Sequence, residues 1–569
     1  MRLSLVLAAS VAPLVWLAAC VGDDPTPTGP TTDASVSEGG GSSSSGGDSS
    51  APIDGGDGGP ATTCGDNALN GDETDVDCGG SCTPCANTKI CKVDKDCATG
   101  LCSANKCAPW QAVVPGAQRR DVMGVAVDPS GAVVLGGGFA GTINFSASDP
   151  LKITAESFDG FVAKVDSKGG HVWQKRLGGP AVDYVYDVAT DANGDVYAVG
   201  SFEPGAVLGA TTVPATVRHL GVVKLAAADG AVLWAKVYDA EPPPPADSRR
   251  MMAITVDGAG RAIVAASFRI GNTFGGAAVL EPSGEDVVLL ALAPDGSTAF
   301  AKRYGGANND YAQAVAVDAS DNVYFGGSFA ATLSVKDSLA NPGVGECGFV
   351  ASVDKNGVAR WARRIYANNP AGVAAGQQVR AVATDAAGRV HVVGLANAGQ
   401  VRFGGPPAAA DTNVDIYASG GGVDAYYGAY SGGGDFIHGA LVGGIGDDYF
   451  HAVKAVGTSV VVYGYLGPPD VEVGVGPRRT IAGSEGPALF VFPQPPAAGK
   501  LVPKVVHVHG LAGQARGRGL AIRPGGGVVV AGHSFSTATV NAVAPIAPGA
   551  PDLALTDGAG YLGSLGPLP

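Results

Sequence analysis

Beyond residue 110 the chain alternates short Val-rich apolar runs with clusters of Asp, Gly, Pro and Ser, and no segment keeps the 3.6-residue period of a long helix. The clearest stretch is Asp183-Tyr-Val-Tyr-Asp-Val-Ala-Thr-Asp191-Ala-Asn-Gly194-Asp-Val-Tyr-Ala-Val-Gly200-Ser-Phe202, two alternating runs around an Asp-x-x-Gly turn. Aligning the Asp of the Val-x-Val-Asp step puts Asp128, Asp191, Asp257, Asp318 and Asp385 in register, with degenerate copies at Gly457 and Pro524. The spacing between copies is 61 to 72 residues, a repeat architecture. Each unit parses as strand, turn, strand, loop, strand, turn, strand. In the first, Val122 to Asp128 meets Ala132 to Gly138, and Phe161 to Val165 meets Val172 to Leu177. Asp opens such turns because its carboxylate accepts backbone N–H bonds, and Gly supplies positive φ. The pattern predicts an all-β fold, a seven-bladed β-propeller of four-stranded antiparallel blades spanning 109–569.

The last unit stops after its third strand, Tyr561 to Leu565, while Trp110 to Gly116 reads as a fourth strand with no unit of its own. Pairing the two closes the ring and leaves no open edge. Strand turns 1–2 and 3–4 are short throughout. Every long insertion, 239–247, 330–345, 396–423 and 467–485, falls on the opposite face, which predicts a partner-contacting face biased toward the middle units.

Upstream, composition changes the picture. Residues 1–19 carry Arg2, an apolar stretch and a small-residue end, the pattern of a secretory signal too short to span a bilayer. The sequence Leu17-Ala18-Ala19-Cys20 resembles the lipobox of bacterial lipoproteins, and that resemblance implies a mature N-terminus at Cys20 carrying acyl chains. Val21 and Gly22 lack the Asp that favours inner-membrane retention in such proteins, so the expected location is the cell envelope, at the outer membrane. Residues 20–62 are Gly, Ser, Pro and Thr with few apolar side chains, a disordered tether.

Residues 63–108 hold Cys64, Cys78, Cys82, Cys85, Cys91, Cys97, Cys102 and Cys107, an even count in an exported segment too short to bury a core. Four disulfides are expected, with connectivity open. Cys82-Thr-Pro-Cys85 is weighed as a redox or zinc pair and set below a structural role, since no His lies in the module. Asp72, Glu73, Asp75 and Asp77 form the only dense acidic cluster and are candidates for calcium, against which stand the absent EF-hand Gly and distal Glu. The opening Asn70-Gly-Asp-Glu-Thr-Asp-Val-Asp-Cys78-Gly-Gly resembles a Cys-rich module of predicted myxobacterial lipoproteins, to which no activity attaches.

The repeats themselves resemble the SBBP type of bacterial β-propeller repeat. Asp159-Gly-Phe-Val-Ala-Lys-Val-Asp166 through Trp173 to Gly179, and Glu346 to Asp354 through Trp361, follow its pattern; units five to seven depart from it, with Phe436 in place of Trp. The resemblance concerns fold and implies no catalytic residues.

Chemistry is sparse. Ser534, in Gly532-His533-Ser534-Phe535-Ser536, superficially resembles a nucleophile elbow, but the same place in other units reads Gly200-Ser201-Phe202 and Gly327-Ser328-Phe329. His507 and His509 alternate on one strand face without further ligands, and Cys347 reads as a small buried apolar residue. Phosphate-cradling glycine motifs are absent. With 52 acidic against 37 basic residues the net charge is −15, which speaks against nucleic acid as a partner. The expected function is therefore a membrane-anchored, non-catalytic binding scaffold for an envelope protein or polysaccharide, a monomer with no cofactor. The alternative is a propeller enzyme, a lyase, lactonase or glycosidase, acting at the central channel.

Overall fold

A computed structural model describes residues 64–567 apart from internal stretches, among them 242–251, 495–503 and 541–552. The signal segment, Cys20 and the tether lie outside the described residues. The repeat region is an all-β propeller with antiparallel blades. Five blades are separate four-stranded sheets; two further four-strand runs, from Asp310–Val317 to Ala359–Ala367 and from Ala375–Thr384 to Phe436–Gly444, share a twelve-stranded sheet. Within each run sequential strands pair antiparallel, as Val122 with Gly137 and Phe161 with Arg176 in unit one.

Ring closure follows the expectation. Trp110–Val113 pairs antiparallel with Gly560–Pro567, Trp110 opposite Ser564 and Val113 opposite Tyr561. A second device strengthens the seam. Arg523, in the turn of unit seven, donates from Nη1 to the carbonyl of Gly131 in unit one at 2.6 Å.

The repeat aspartates act as turn formers. Oδ1 of Asp128 accepts from the amides of Ser130 and Ala132 at 2.8 and 3.0 Å, and Asp191, Asp257, Asp318 and Asp385 repeat the arrangement. The degenerate copies need a correction of one residue. Arg523, not Pro524, occupies the Asp position, bonding Gly527 as Asp128 bonds Ala132; in unit six the hairpin tightens, with Val456 opposite Ser459, and Gly457 sits inside it.

Between the units lies the core. Among the described residues, seven buried apolar clusters each draw on two adjacent units, such as Leu220 and Val222 with Val264 and Leu290, and the last joins Val529 and Ala531 to Val133 and Leu135. Burial on both faces explains why the second strands read as unbroken apolar runs. The Trp of the fourth strand latches onto the following unit. Indole N–H groups of Trp173, Trp234 and Trp361 donate to the carbonyls of Ala227, Pro294 and Gly432 at 3.1, 2.9 and 2.9 Å. The turn Gly beneath each ring is required on two counts. Gly434 has φ +88°, and a Cβ there would stand 2.7 Å from the Trp361 indole.

The Gly-Gly step that ends the unit pattern has a different cause. Gly178-Gly179, Gly305-Gly306 and Gly443-Gly444 let two buried carboxylates close in on the backbone: Asp159 with Asp183, Asp286 with Asp310, and Asp424 with Asp448. Asp183 accepts the Gly179 amide and Asp310 the Gly306 amide, both at 2.7 Å.

The long insertions are not free loops where they are described. Thr332–Ser334 pairs with Ser338–Ala340 as a hairpin. Val401–Phe403 pairs with Thr412–Val414 and also with the outer strand of unit four, Ile365 opposite Phe403; Asp470–Val473 likewise adds to the outer strand of unit five, Val442 opposite Val473. The last two strands cover edges that would otherwise expose unpaired backbone groups, so part of the 396–423 and 467–485 insertions is structural.

Candidate binding site

The first strands of all seven units line one cavity of about 440 Å³, through Met123–Val127, Tyr186–Thr190, Met252–Val256, Gln313–Val317, Arg380–Thr384, His451–Ala455 and Arg518–Ile522. Each stretch begins at a special place. In six units the pairing of first and second strands slips by one residue there, at Met123, Tyr186, Gln313, Arg380, His451 and Arg518. A β-bulge of this kind breaks the alternation of side chains and re-aims one of them. In unit three Met252 precedes the strand Ala253–Val256 at the equivalent position.

The resulting ring is divided by chemistry. Units one to three contribute Met123, Tyr186 and Met252, and units five to seven contribute Arg380, His451 and Arg518, with Gln313 between the arcs. Arg380, His451 and Arg518 are 7, 8 and 8% exposed. Nη1 of Arg518 lies 3.2 Å from both ring nitrogens of His451, while its Nε has no hydrogen-bond partner among the described residues. Burial, followed by the neighbouring Arg518 and Arg380, holds His451 well below the ordinary histidine range, so the ring is neutral. Burial also lowers the Arg380 guanidinium to about 10 and that of Arg518 in the same direction.

Carboxylates near the cationic arc have other partners. Asp121 accepts from Arg119 and from the Tyr184 hydroxyl, and Glu346 from Ser328 and Gln378. Asp187, the one carboxylate among the described lining residues, accepts the amides of Ile254 and Val188 at 3.0 and 2.9 Å. Burial pushes it up to about 6. Lys454 also lines the cavity, and burial lowers its ammonium. The hydroxyls of Thr190 and Thr384 donate to the carbonyls of Val127 and Val317 in the preceding units, and are thereby fixed as structural ties.

No protein-family model and no curated protein matches the chain. Among solved structures it is similar to BamB from Moraxella catarrhalis, at 12% identity over 79% of this chain and 93% of that one, with a TM-score of 0.31. The Dos1 propeller shares 8% identity over 80% and 95% of the two chains at 0.36. The propeller domain of the Pyrococcus furiosus trilobed protease shares 8% over 78% and 97% at 0.36. Likenesses this distant say nothing of what the present chain binds.

The residues singled out by sequence are mostly structural. All eight module cysteines pair, Cys64–Cys82, Cys78–Cys85, Cys91–Cys102 and Cys97–Cys107. The acidic cluster is distributed among local donors. Asp77 accepts the amides of Gly65 and Asn67, Asp75 those of Ile90 and Val76 with the Lys89 ammonium, Asp72 the Ser81 hydroxyl and Glu73 the Asn70 amide. Asp96, which sequence reading passed over, is the buried organiser of the second half, accepting from Gly80, Lys92 and Val93. Ser534 Oγ accepts the Ala559 amide at 3.0 Å at its strand end. Cys347 is fully buried among Phe329 and Phe349. His507 pairs opposite Leu489 and His509 lies outside the described residues. Among the described histidines only His451 lines the cavity; His391 is buried between Asp385 and the Tyr427 hydroxyl, at 3.0 and 2.9 Å.

Proposed function

We propose that the chain is an exported cell-envelope lipoprotein, anchored through Cys20 at the outer membrane, whose seven-bladed propeller of SBBP-type repeats is a non-catalytic binding scaffold for an envelope protein or polysaccharide. Its recognition site is the axial cavity. Support for the blade count comes from the seven inter-unit clusters and the seven lining strands. The observation that carries the binding reading is the ring of six bulge residues and Met252, which line one cavity with side chains of contrasting chemistry while the described lining holds a single carboxylate. A glycosidase needs two. Calcium has no part in this reading, because Asp72, Glu73, Asp75 and Asp77 already serve backbone and side-chain donors of their own module.

A lyase is the second reading, favoured by His451: a neutral imidazole beside two guanidiniums suits proton removal next to a carboxylate whose charge the arginines neutralise. One experiment separates the two. The lipid-free protein is used as bait against solubilised envelope protein and extracted polysaccharide, and the captured material is followed for unsaturated sugar product by ultraviolet absorbance. Saturable capture without product supports the scaffold; product formation lost in His451→Gln supports the lyase; no capture by folded protein refutes the scaffold.

A further inference from the structure

We propose that the axial cavity holds a small aldehyde as a Schiff base on Nζ of Lys454, with Asp187 as the acid partner; this deepens the reading of the cavity as the recognition site and rests on it. Lys454 breaks the pattern of the lining. Three residues after each ring position the other six units place Ala126, Ala189, Thr255, Ala316, Ala383 and Ala521, and unit six places Lys454. One long amine therefore stands in a layer otherwise built of small side chains. It is exposed, while Val453 beside it is buried in a cluster between units. A solute that enters the cavity of about 440 Å³ meets this amine.

The groups around it set its chemistry. Besides Lys454 the described lining carries Asp187, Arg380 and Arg518 as charged groups, with Tyr186 and His451 also titratable. Asp187 is the charged neighbour that acts on Lys454, and Lys454 acts on Asp187 in turn. Desolvation outweighs their attraction, so the amine lies below the ordinary lysine range and the carboxyl at about 6. A lysine lowered in this way keeps more of its population as the neutral amine, the form that attacks a carbonyl.

The step balances without an oxidant. The amine lone pair forms a C–N bond to the carbonyl carbon, and the proton shed by nitrogen passes to the carbonyl oxygen, giving a carbinolamine. The Asp187 carboxyl then protonates that hydroxyl, the C–O bond breaks, and water leaves. The iminium proton returns to the Asp187 carboxylate. An aldehyde on an apolar ring and the open-chain aldehyde of a sugar share this chemistry, and the probes distinguish them.

The full chain is incubated with benzaldehyde or glyceraldehyde and cyanoborohydride, and peptide mass spectrometry follows reductive alkylation at each lysine. Alkylation of Lys454 should saturate with aldehyde concentration and, at neutral pH, exceed that of the exposed Lys302 and Lys355 by about threefold or more, while theirs rises linearly. Saturation with benzaldehyde alone identifies an apolar aldehyde, with glyceraldehyde alone a sugar-like one. Asp187→Asn should slow trapping at Lys454 by about tenfold or more. An effect on the amine alone would run the other way, because removing the carboxylate charge leaves more of the amine neutral. Lys454→Arg should abolish the saturable component and leave Lys302 and Lys355 reacting as before. Alkylation of Lys454 no faster than of the two exposed lysines, a linear dependence on aldehyde, or an unchanged rate in folded Asp187→Asn overturns the proposal. If no aldehyde is trapped at Lys454 while envelope material is still captured, the scaffold reading survives and the Schiff-base site falls; if aldehyde is trapped and nothing is captured, the site survives and the scaffold reading falls.

Discussion

Replacing Trp361 by Ala tests whether the aromatic latch between units holds the ring together. The indole is 5% exposed, donates to the Gly432 carbonyl at 2.9 Å, and packs on Tyr324 and Tyr430 with centroids 6.0 and 6.3 Å away. The Arg363 guanidinium lies 5.5 Å above it. Truncating a buried aromatic of this size costs about 3–5 kcal/mol. The Gly432 carbonyl keeps a donor in Arg360, at 3.2 Å, so no unsatisfied acceptor adds to the cost. The partner substitution is Gly434→Ala. Alone it combines backbone strain of about 1–2 kcal/mol at φ +88° with a clash against the indole. In the Trp361→Ala background the clash with the indole is gone, and the strain remains with a 3.0 Å approach to Nη2 of the flexible Arg363 side chain. The double variant is therefore less destabilised than the two singles together by about 1–2 kcal/mol, well inside the range of contacting pairs. Urea unfolding followed by far-ultraviolet circular dichroism reads all four corners of the cycle. Additivity within about 0.5 kcal/mol would refute the latch, as would a Trp361→Ala cost below about 1 kcal/mol. Trp234→Ala is the internal comparison, expected to cost less because that indole is only partly buried.

Stability should depend on pH through the buried acid pairs: burial, with Asp159, Asp286 and Asp424 as neighbours, pushes Asp183 up to about 7 and Asp310 and Asp448 up to about 8. These folded values exceed the ordinary carboxylate value of about 4, so the folded state holds protons the unfolded chain releases, and this stabilisation is present at low pH and lost as pH rises through about 7 to 8. The melting temperature should fall as pH rises from about 4 to about 8, and Asp310→Asn should flatten the slope; a flat profile in the parent protein refutes the assignment. Deleting Trp110–Val113 leaves the last sheet with an open edge, and size-exclusion chromatography should show self-association or a lowered melting temperature. Reduction with dithiothreitol should unfold the Cys-rich module, detected by proteolysis within 64–107, and leave the propeller strands intact, since the only cysteine described there, Cys347, is unbridged.

Much of the fold was legible because a propeller writes each unit in local code. Period-two runs, Asp-x-x-Gly turns and a Trp-bearing fourth strand recur within short stretches, and each depends on backbone preferences that neighbouring residues satisfy by themselves. Even the seam was readable, since Trp110 and its followers had the fourth-strand pattern and the final unit lacked one. The Gly-Gly steps were visible as pattern while their cause was not, because Asp159 and Asp183 meet only across two units. The insertions misled for a related reason: hairpins such as Val401–Phe403 find their partner on the previous unit's edge, which no local signal marks.

The cavity ring belongs wholly to tertiary structure. Met123, Tyr186, Met252, Gln313 and Arg380 all stand five residues before a repeat Asp, so the register was available in the sequence, but strict alternation along a strand does not say that a bulge turns that residue inward. Nor does it say that Arg380, His451 and Arg518, spread across the last three units, share one face of the axis. Local sequence determined the strands, the turns and their repetition, since those rest on bonds within a few residues. Closing the ring decided which side chains share a cavity, because their convergence exists only when distant units are brought around a common axis.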